Sequence, residues 1–354
     1  MTAFVEKLKK ILRRVATPNT RRNRHRPDTN LDSLIGDVRR NPQDPALHSL
    51  VADEYAKQQC WQPAIAEYRT SLALGNTDQN MLEALAKAYE AIGQPQYAIS
   101  VYKNLLADVK ESHLIPKLKT YIAQAKQVRH QPLSTLNHNR YYRLNTLAKH
   151  MLTVFSERNF SVLDVGGGTG ELALFFPEAH YVLAEPSVNG LAADNLQFAE
   201  KTFDVVVASH VFEHIPAHER ESFLNQLLKK TKKYLLLLNP FACPGDSYRE
   251  RLELVFELTG AQWAKEHLDC ELPEIDVVKN FARAQGLGCK IIPTGTLTTS
   301  LAMVFLDHYA AMAGKDKEVK KINQLYNTAF FDNLTNAEFP TGYLVELQRA
   351  PTFK

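Results

Sequence analysis

The chain has 354 residues, 45% of them hydrophobic and 23% charged, with a formal net charge of +3. That length fits two or three soluble globular domains, and no uninterrupted apolar run is long enough to cross a bilayer. Cys60, Cys243, Cys270 and Cys289 are scattered, without a C-x-x-C pair or a secretory signal. They read as free thiols of a reducing, cytoplasmic compartment, and structural zinc is not expected.

The charge is unevenly spread. Through Arg26 the chain carries nine Lys/Arg against the single acid Glu6, which leaves 33 basic and 38 acidic residues for the rest. A strongly basic head on a mildly acidic body gives no reason to expect nucleic-acid binding. Within the head, Phe4, Val5, Leu8, Ile11, Leu12 and Val15 follow one helical face, with Lys and Arg around it. Three readings stay open for residues 1–15: a helix on an anionic membrane surface, which would place the protein peripherally at the inner face of the membrane, a helix docked on the next domain, or a transit peptide. Residues 17–27 read as a flexible basic linker, so 1–27 form the first segment.

Residues 28–130 form the second segment and read as helix after helix. A shift of 34 residues aligns Ala52 with Ala86, Tyr55 with Tyr89, Ala64 with Ala98 and Tyr68 with Tyr102. The small residues let antiparallel helices approach and the aromatics fill the space between them. This skeleton resembles the tetratricopeptide repeat, with Gln59 and Pro95 departing from it. Helices at about 31–40 and 113–128 would cap the pair. The resemblance implies a module that binds a protein partner and does no chemistry. The polar stretch 130–139 marks the next boundary.

From Ser161 the pattern becomes strand, tight turn, helix. The β-branched run 161–165 ends in Gly166, Gly167, Gly168 and Gly170 and continues into Leu172, Leu174, Phe175 and Phe176. Glycines here let a ligand approach backbone N–H donors. The match Gly168-x-Gly170-x-x-Ala173 leaves a dinucleotide site open. Three features turn the reading elsewhere. Asp164 suits a ligand with a cationic amino group and would repel a pyrophosphate. A second strand, 180–184, ends in Glu185, which can accept hydrogen bonds from a ribose. A buried strand, 203–209, then runs into His210-Val-Phe-Glu-His-Ile215.

D-x-G-x-G-x-G, the acidic end of strand two, NLQF before FDVVVASHVFEHI, and LLLLNP as strand five resemble the class I methyltransferases, particularly the type 11 group. The likeness covers roughly residues 140–350 of a third segment, 131–354. It implies an α/β Rossmann-like seven-stranded sheet with the last strand antiparallel, preceded by the all-α tetratricopeptide-like domain. The cofactor it implies is S-adenosyl-L-methionine. Asp164, Gly166, Gly168 and Gly170 would line its methionine and ribose end, Glu185 would hold the ribose, Asp194 and Asn195 would meet adenine, and His210 would flank the methyl group. Between Glu185 and Phe203 the usual full helix is compressed, which blurs the adenine contacts.

Downstream, 216–230 and 273–285 read as helices and 234–239 and 289–292 as strands. The alternating 341–348 reads as an antiparallel edge strand. Methyl transfer needs alignment, plus a base where the nucleophile must lose a proton. His210, His214, Glu266 and His267 are the candidate catalytic groups, with Glu213 beside them. Their spacing signals no metal site. The segment 241–276, with Trp263, Glu266 and His267, is expected to wall the acceptor pocket, and 297–336 to cover it or form a dimer contact. The segment W-x-x-EH-x-x-x-x-LP is similar to methyltransferases of bacterial surface-glycan synthesis. The expected acceptor is therefore a sugar hydroxyl of a glycan or glycolipid, or another small molecule. The alternatives are a protein methyltransferase recruited by its repeats and a repeat-based adaptor with an inactive methyltransferase fold.

Overall fold

The computed structural model describes residues 29–108, 112–242, 248–269, 271–330 and 340–350. The basic head, with the readings attached to it, lies outside them, as do Cys243 and Cys270. Helices α1 (Thr29–Arg40), α2 (Pro45–Lys57), α3 (Trp61–Ala73), α4 (Gln79–Ala91), α5 (Pro95–Asp108) and α6 (Leu114–Ala125) come first. The residues aligned by the 34-residue shift are all buried, from Ala52 and Tyr55 to Ala98 and Tyr102. Asp44 and Asp78 cap α2 and α4 with side-chain acceptors. Helix α3 is buried continuously from Pro63 to Ser71, because it packs on helices on one side and on a sheet on the other.

That sheet contains β1 (Ser161–Val165), β2 (His180–Ala184), β3 (Phe203–Ser209), β4 (Thr231–Asn239), β5 (Gly288–Thr294) and β6 (Gly342–Gln348), in the order β2-β1-β3-β4-β6-β5. The first four are parallel, and β6 runs antiparallel to both β4 and β5. Helices α7 (His138–Val154), α8 (Arg220–Lys230) and α11 (Ile275–Ala284) belong to this half. So do α9 (Tyr248–Thr259), α10 (Gln262–Asp269), α12 (Leu297–Met312) and α13 (Asp316–Leu325).

Three expectations are corrected. The described sheet has six strands, not seven. The 18 residues between Ala184 and Phe203 must recross β1 to reach β3, and they hold only the short 3₁₀ turn Ala193–Asn195, so no strand forms outside β2. The helix expected after the glycine turn is a five-residue 3₁₀ turn, Glu171–Phe175. Pro177 explains the stop: it lacks an N–H and pushes Phe176 out of the helical region, to φ −133° and ψ 68°. Finally, β6 is not an edge strand. It lies between β4 and β5, so its alternation is overridden by burial along Leu344–Leu347. Glu346, the polar residue there, is paired with His150 Nε2 at 2.6 Å.

The helical module takes the place of the missing layer. Leu183 on β2, the outermost strand, donates its N–H to Thr70 Oγ1 at 3.0 Å. Arg69 donates to the carbonyls of Ala173 (3.3 Å), Phe176 (2.9 Å) and Ala179 (2.6 Å), and so caps the shortened turn. Tyr55 donates to the Val188 carbonyl at 2.7 Å. Buried Glu67 accepts from Asn189 at 2.8 Å and lies 2.7 Å from His48 Nδ1. One apolar core runs through both halves.

Candidate active site

The glycine turn begins where β1 ends between β2 and β3. Gly166, Gly168 and Gly170 have φ of +70°, +59° and +81°, a left-handed backbone that a Cβ would strain. Two of them also make close approaches. A Cβ on Gly166 would overlap Val211, and one on Gly170 would overlap Ala66 of α3. Gly168 faces open space instead, with Arg140 as its near neighbour. The turn is held from three sides. Glu185 accepts from the Gly168 N–H at 3.1 Å, and its other oxygen accepts from Ser187. Arg140 donates to Glu171 at 2.7 Å and to Thr169 at 3.2 Å. Asp164 lies beneath, 2% exposed, and accepts from the Tyr181 hydroxyl at 2.7 Å. Burial raises the Asp164 carboxyl to about 7, against the pull of that hydrogen bond. Asp164 thus buttresses the turn, and Glu185 is the carboxylate at its edge. Asp194 is exposed in the turn Ala193–Asn195, which also holds Asn195.

Beyond β3 the chain turns sharply. His210 has φ +55° and donates its backbone N–H to Leu238 at 2.8 Å. Asn239, fully buried at the end of β4, accepts from the N–H groups of Val211 (3.1 Å) and Phe212 (3.3 Å). Those bonds fix the turn that carries the 3₁₀ segment Phe212–His214.

His210 and His214 open into a cavity of about 650 Å³. It is walled by α7 (Asn139, Arg143), α9 (Arg251, Leu252), Trp263 and His267 of α10, and α12 (Leu301, Asp307). Trp263 meets the His267 ring edge-on, with centroids 5.7 Å apart. Of the predicted catalytic residues, His210, His214 and His267 are therefore brought together. Glu266 is not: it lies on the exposed side of α10, where one residue of helical rotation takes it off the face that carries His267. Leu297, Ser300, Leu301 and Val304 of α12 also line the cavity.

Burial, with Arg143 and His214 nearby, pushes the His210 imidazolium well below its usual range, so the ring is neutral at pH 7. His267 is lowered to about 4, chiefly by burial. Glu213 is 1% exposed and is raised by burial to about 7. Its Oε1 stands 3.0 Å from His210 Nδ1 without hydrogen-bond alignment. Sequence reasoning missed Arg140, Arg143 and Asn239. The signals were present, in the Asn137 cap that starts α7 and in the Asn-Pro pair closing β4.

Residues 136–268 match the family model described as a methyltransferase domain. The match covers 133 of the 354 residues and makes that segment similar to a methyltransferase domain, in keeping with S-adenosyl-L-methionine as the cofactor. No curated protein matches the sequence. Among solved structures, YcgJ from Bacillus subtilis is 15% identical with a TM-score of 0.37, covering 60% of this chain and 99% of its own. Magnesium protoporphyrin IX methyltransferase (ChlM) from Synechocystis, solved with bound SAH, is 12% identical with a TM-score of 0.37, covering 60% of this chain and 85% of its own. Among the described residues, no helix is long and apolar enough to cross a membrane.

Proposed function

We propose that this protein transfers the methyl group of S-adenosyl-L-methionine to a sugar hydroxyl of a glycan or glycolipid, or of a similar small molecule, seated in the cavity behind His210. The observation that carries the reading is the contact between two sites. Val211 covers Gly166 of the cofactor turn, while the preceding residue, His210, lines the cavity. A donor on the turn and an acceptor in the cavity would meet there, and in-line displacement needs that alignment above all.

The lining suits a polyhydroxylated ring. Asn137, Asn139, Ser300 and Thr341 offer neutral hydrogen-bond partners, Trp263 offers an aromatic face, and Leu252 and Val255 exclude water. His210, neutral at pH 7, is our choice of base for the hydroxyl proton. The solvent-facing side of the helical module is left to dock a protein partner, and residues 1–15 suit an anionic membrane surface. An adaptor with a retired fold is disfavoured, because such a protein has no physical need of three left-handed glycines in one turn.

Calorimetric titration of the full chain with S-adenosyl-L-methionine tests the donor: no heat at millimolar cofactor would sink the enzyme reading. Transfer of labelled methyl groups into a fractionated extract tests the acceptor. Label in glycan or glycolipid supports the proposal, and label in polypeptide alone rejects it.

A further inference from the structure

The cavity wall holds a group of side chains that methyl transfer by alignment does not require. Glu213, His214 and His267 each offer one ligand-type atom, and these atoms all lie within 4.8 Å of one another. His214 Nε2 and His267 Nε2 stand 3.2 Å apart, and His267 Nε2 is 4.0 Å from Glu213 Oε1. Ligand atoms placed tetrahedrally about 2.0–2.1 Å from a metal ion are separated by about 3.3 Å. The histidine pair already has that separation, and the carboxylate needs a small torsion to reach it.

The second observation is independent of spacing. Glu213 is 1% exposed, and neither of its carboxylate oxygens has an aligned hydrogen-bond partner, although His210 Nδ1 stands 3.0 Å from Oε1. A carboxylate withdrawn from water without an aligned hydrogen bond is costly, and native structures rarely leave one so. A cation at this point would satisfy it.

We propose that Glu213, His214 and His267 bind one divalent transition-metal ion, with an open coordination position facing the acceptor cavity. Two imidazoles and one carboxylate favour zinc, cobalt or iron over magnesium, which prefers oxygen ligands and keeps its waters. His214 and His267 line the cavity, so the open position looks toward the acceptor. Arg143 lines the same space, so the ion is held by coordination and not by a negative field. Resting on the functional reading above, the ion would bind the acceptor hydroxyl, orient it and lower its pKa. Sequence spacing hides the site, because His267 lies 53 positions after His214.

The test uses the full chain, stripped with chelator and titrated with Co²⁺ while its visible ligand-field absorption is followed. One equivalent bound, with an intense low-coordinate band, is expected. His267→Ala and Glu213→Gln should each weaken binding by at least about tenfold. Circular dichroism and calorimetry with S-adenosyl-L-methionine would report the fold and the cofactor site of each variant. Absence of a stoichiometric site in the wild-type chain overturns the proposal, as does unchanged Co²⁺ affinity in a folded His214→Ala/His267→Ala double variant. Loss of cofactor binding in the wild-type chain would instead overturn the methyltransferase reading, so the two failures are distinguishable.

Discussion

The two flanks of the glycine turn are built in opposite ways. On the β2 side, one face of α3 supplies Ala66 against Gly170, Glu67 to Asn189, Arg69 to three carbonyls and Thr70 to Leu183. Asn189 in turn holds the Glu185 N–H at 3.1 Å, so the module reaches the edge of the cofactor turn through two side chains. On the other side, α9, α10 and α12 share a small separate core (Leu252, Val255, Ala264), and Met303 is the buried residue of α12. The β2 side is a closed, cross-linked platform, and the other side is a hollow covered by helices that share a core of their own. Beside β2, the sheet's outer strand, the helices before it supply the packing and the hydrogen bonds. The module is thus part of the cofactor platform before it is anything else.

If so, the module and the sheet unfold together. Arg69→Ala should have the largest effect, because it strands three buried carbonyls and the Tyr89 hydroxyl at once. A loss on the order of 4–5 kcal/mol is expected, with one cooperative transition in denaturant followed by both circular dichroism and cofactor binding. Two separate transitions, with the cofactor-binding one unmoved, would break the comparison.

Asp164 tests the platform through pH. Its carboxyl rises from 3.8 to about 7 on folding, so the stability it contributes is complete below about 3.8 and is lost as pH climbs toward 7. That rise corresponds to about 4 kcal/mol. Asp164→Asn should therefore flatten the decline in stability of the cofactor-free protein between pH 5 and pH 8. Parallel melting curves for the two proteins across that range would show that Asp164 is ionised without penalty.

How much of this was legible in the sequence follows the same divide. Strands β1 to β4 could be read because each is a continuous apolar run, and the 34-residue shift found the right buried pairs. Residues 171–176 looked helical from Leu172 and Leu174, but Pro177 and the caps from Arg69 decide the outcome, and a contact across 104 positions leaves no periodic trace. Glu266 looked as good a base as His267, and only the orientation of α10 separates them. The joint role of Ala66 and Gly170 was equally hidden, since each looked like a residue of its own motif.

That last pair gives a smaller and more local test. Gly170→Ala meets both a left-handed φ of +81° and the overlap with Ala66, for a cost of about 2–3 kcal/mol. Cofactor affinity should fall along with stability, because the displaced segment is the turn itself. Ala66→Gly in the same chain opens the space and should restore the part due to overlap, leaving the strain of φ. No restoration would mean that the module merely touches the turn.

The acceptor side should respond in the reverse sense, with little stability at stake and most of the effect on substrate. Trp263 is 43% exposed and contacts the edge of His267, so Trp263→Ala should change stability by about 0.5 kcal/mol or less. The same change removes the aromatic face of the cavity. Cofactor affinity by calorimetry should stay as in the wild type, while KM for the acceptor rises several-fold, by roughly the 1–2 kcal/mol of a lost stacking contact. A variant that lost cofactor affinity along with acceptor affinity would show that the hollow and the platform are one cooperative unit, and the contrast between the two flanks would then be one of packing alone.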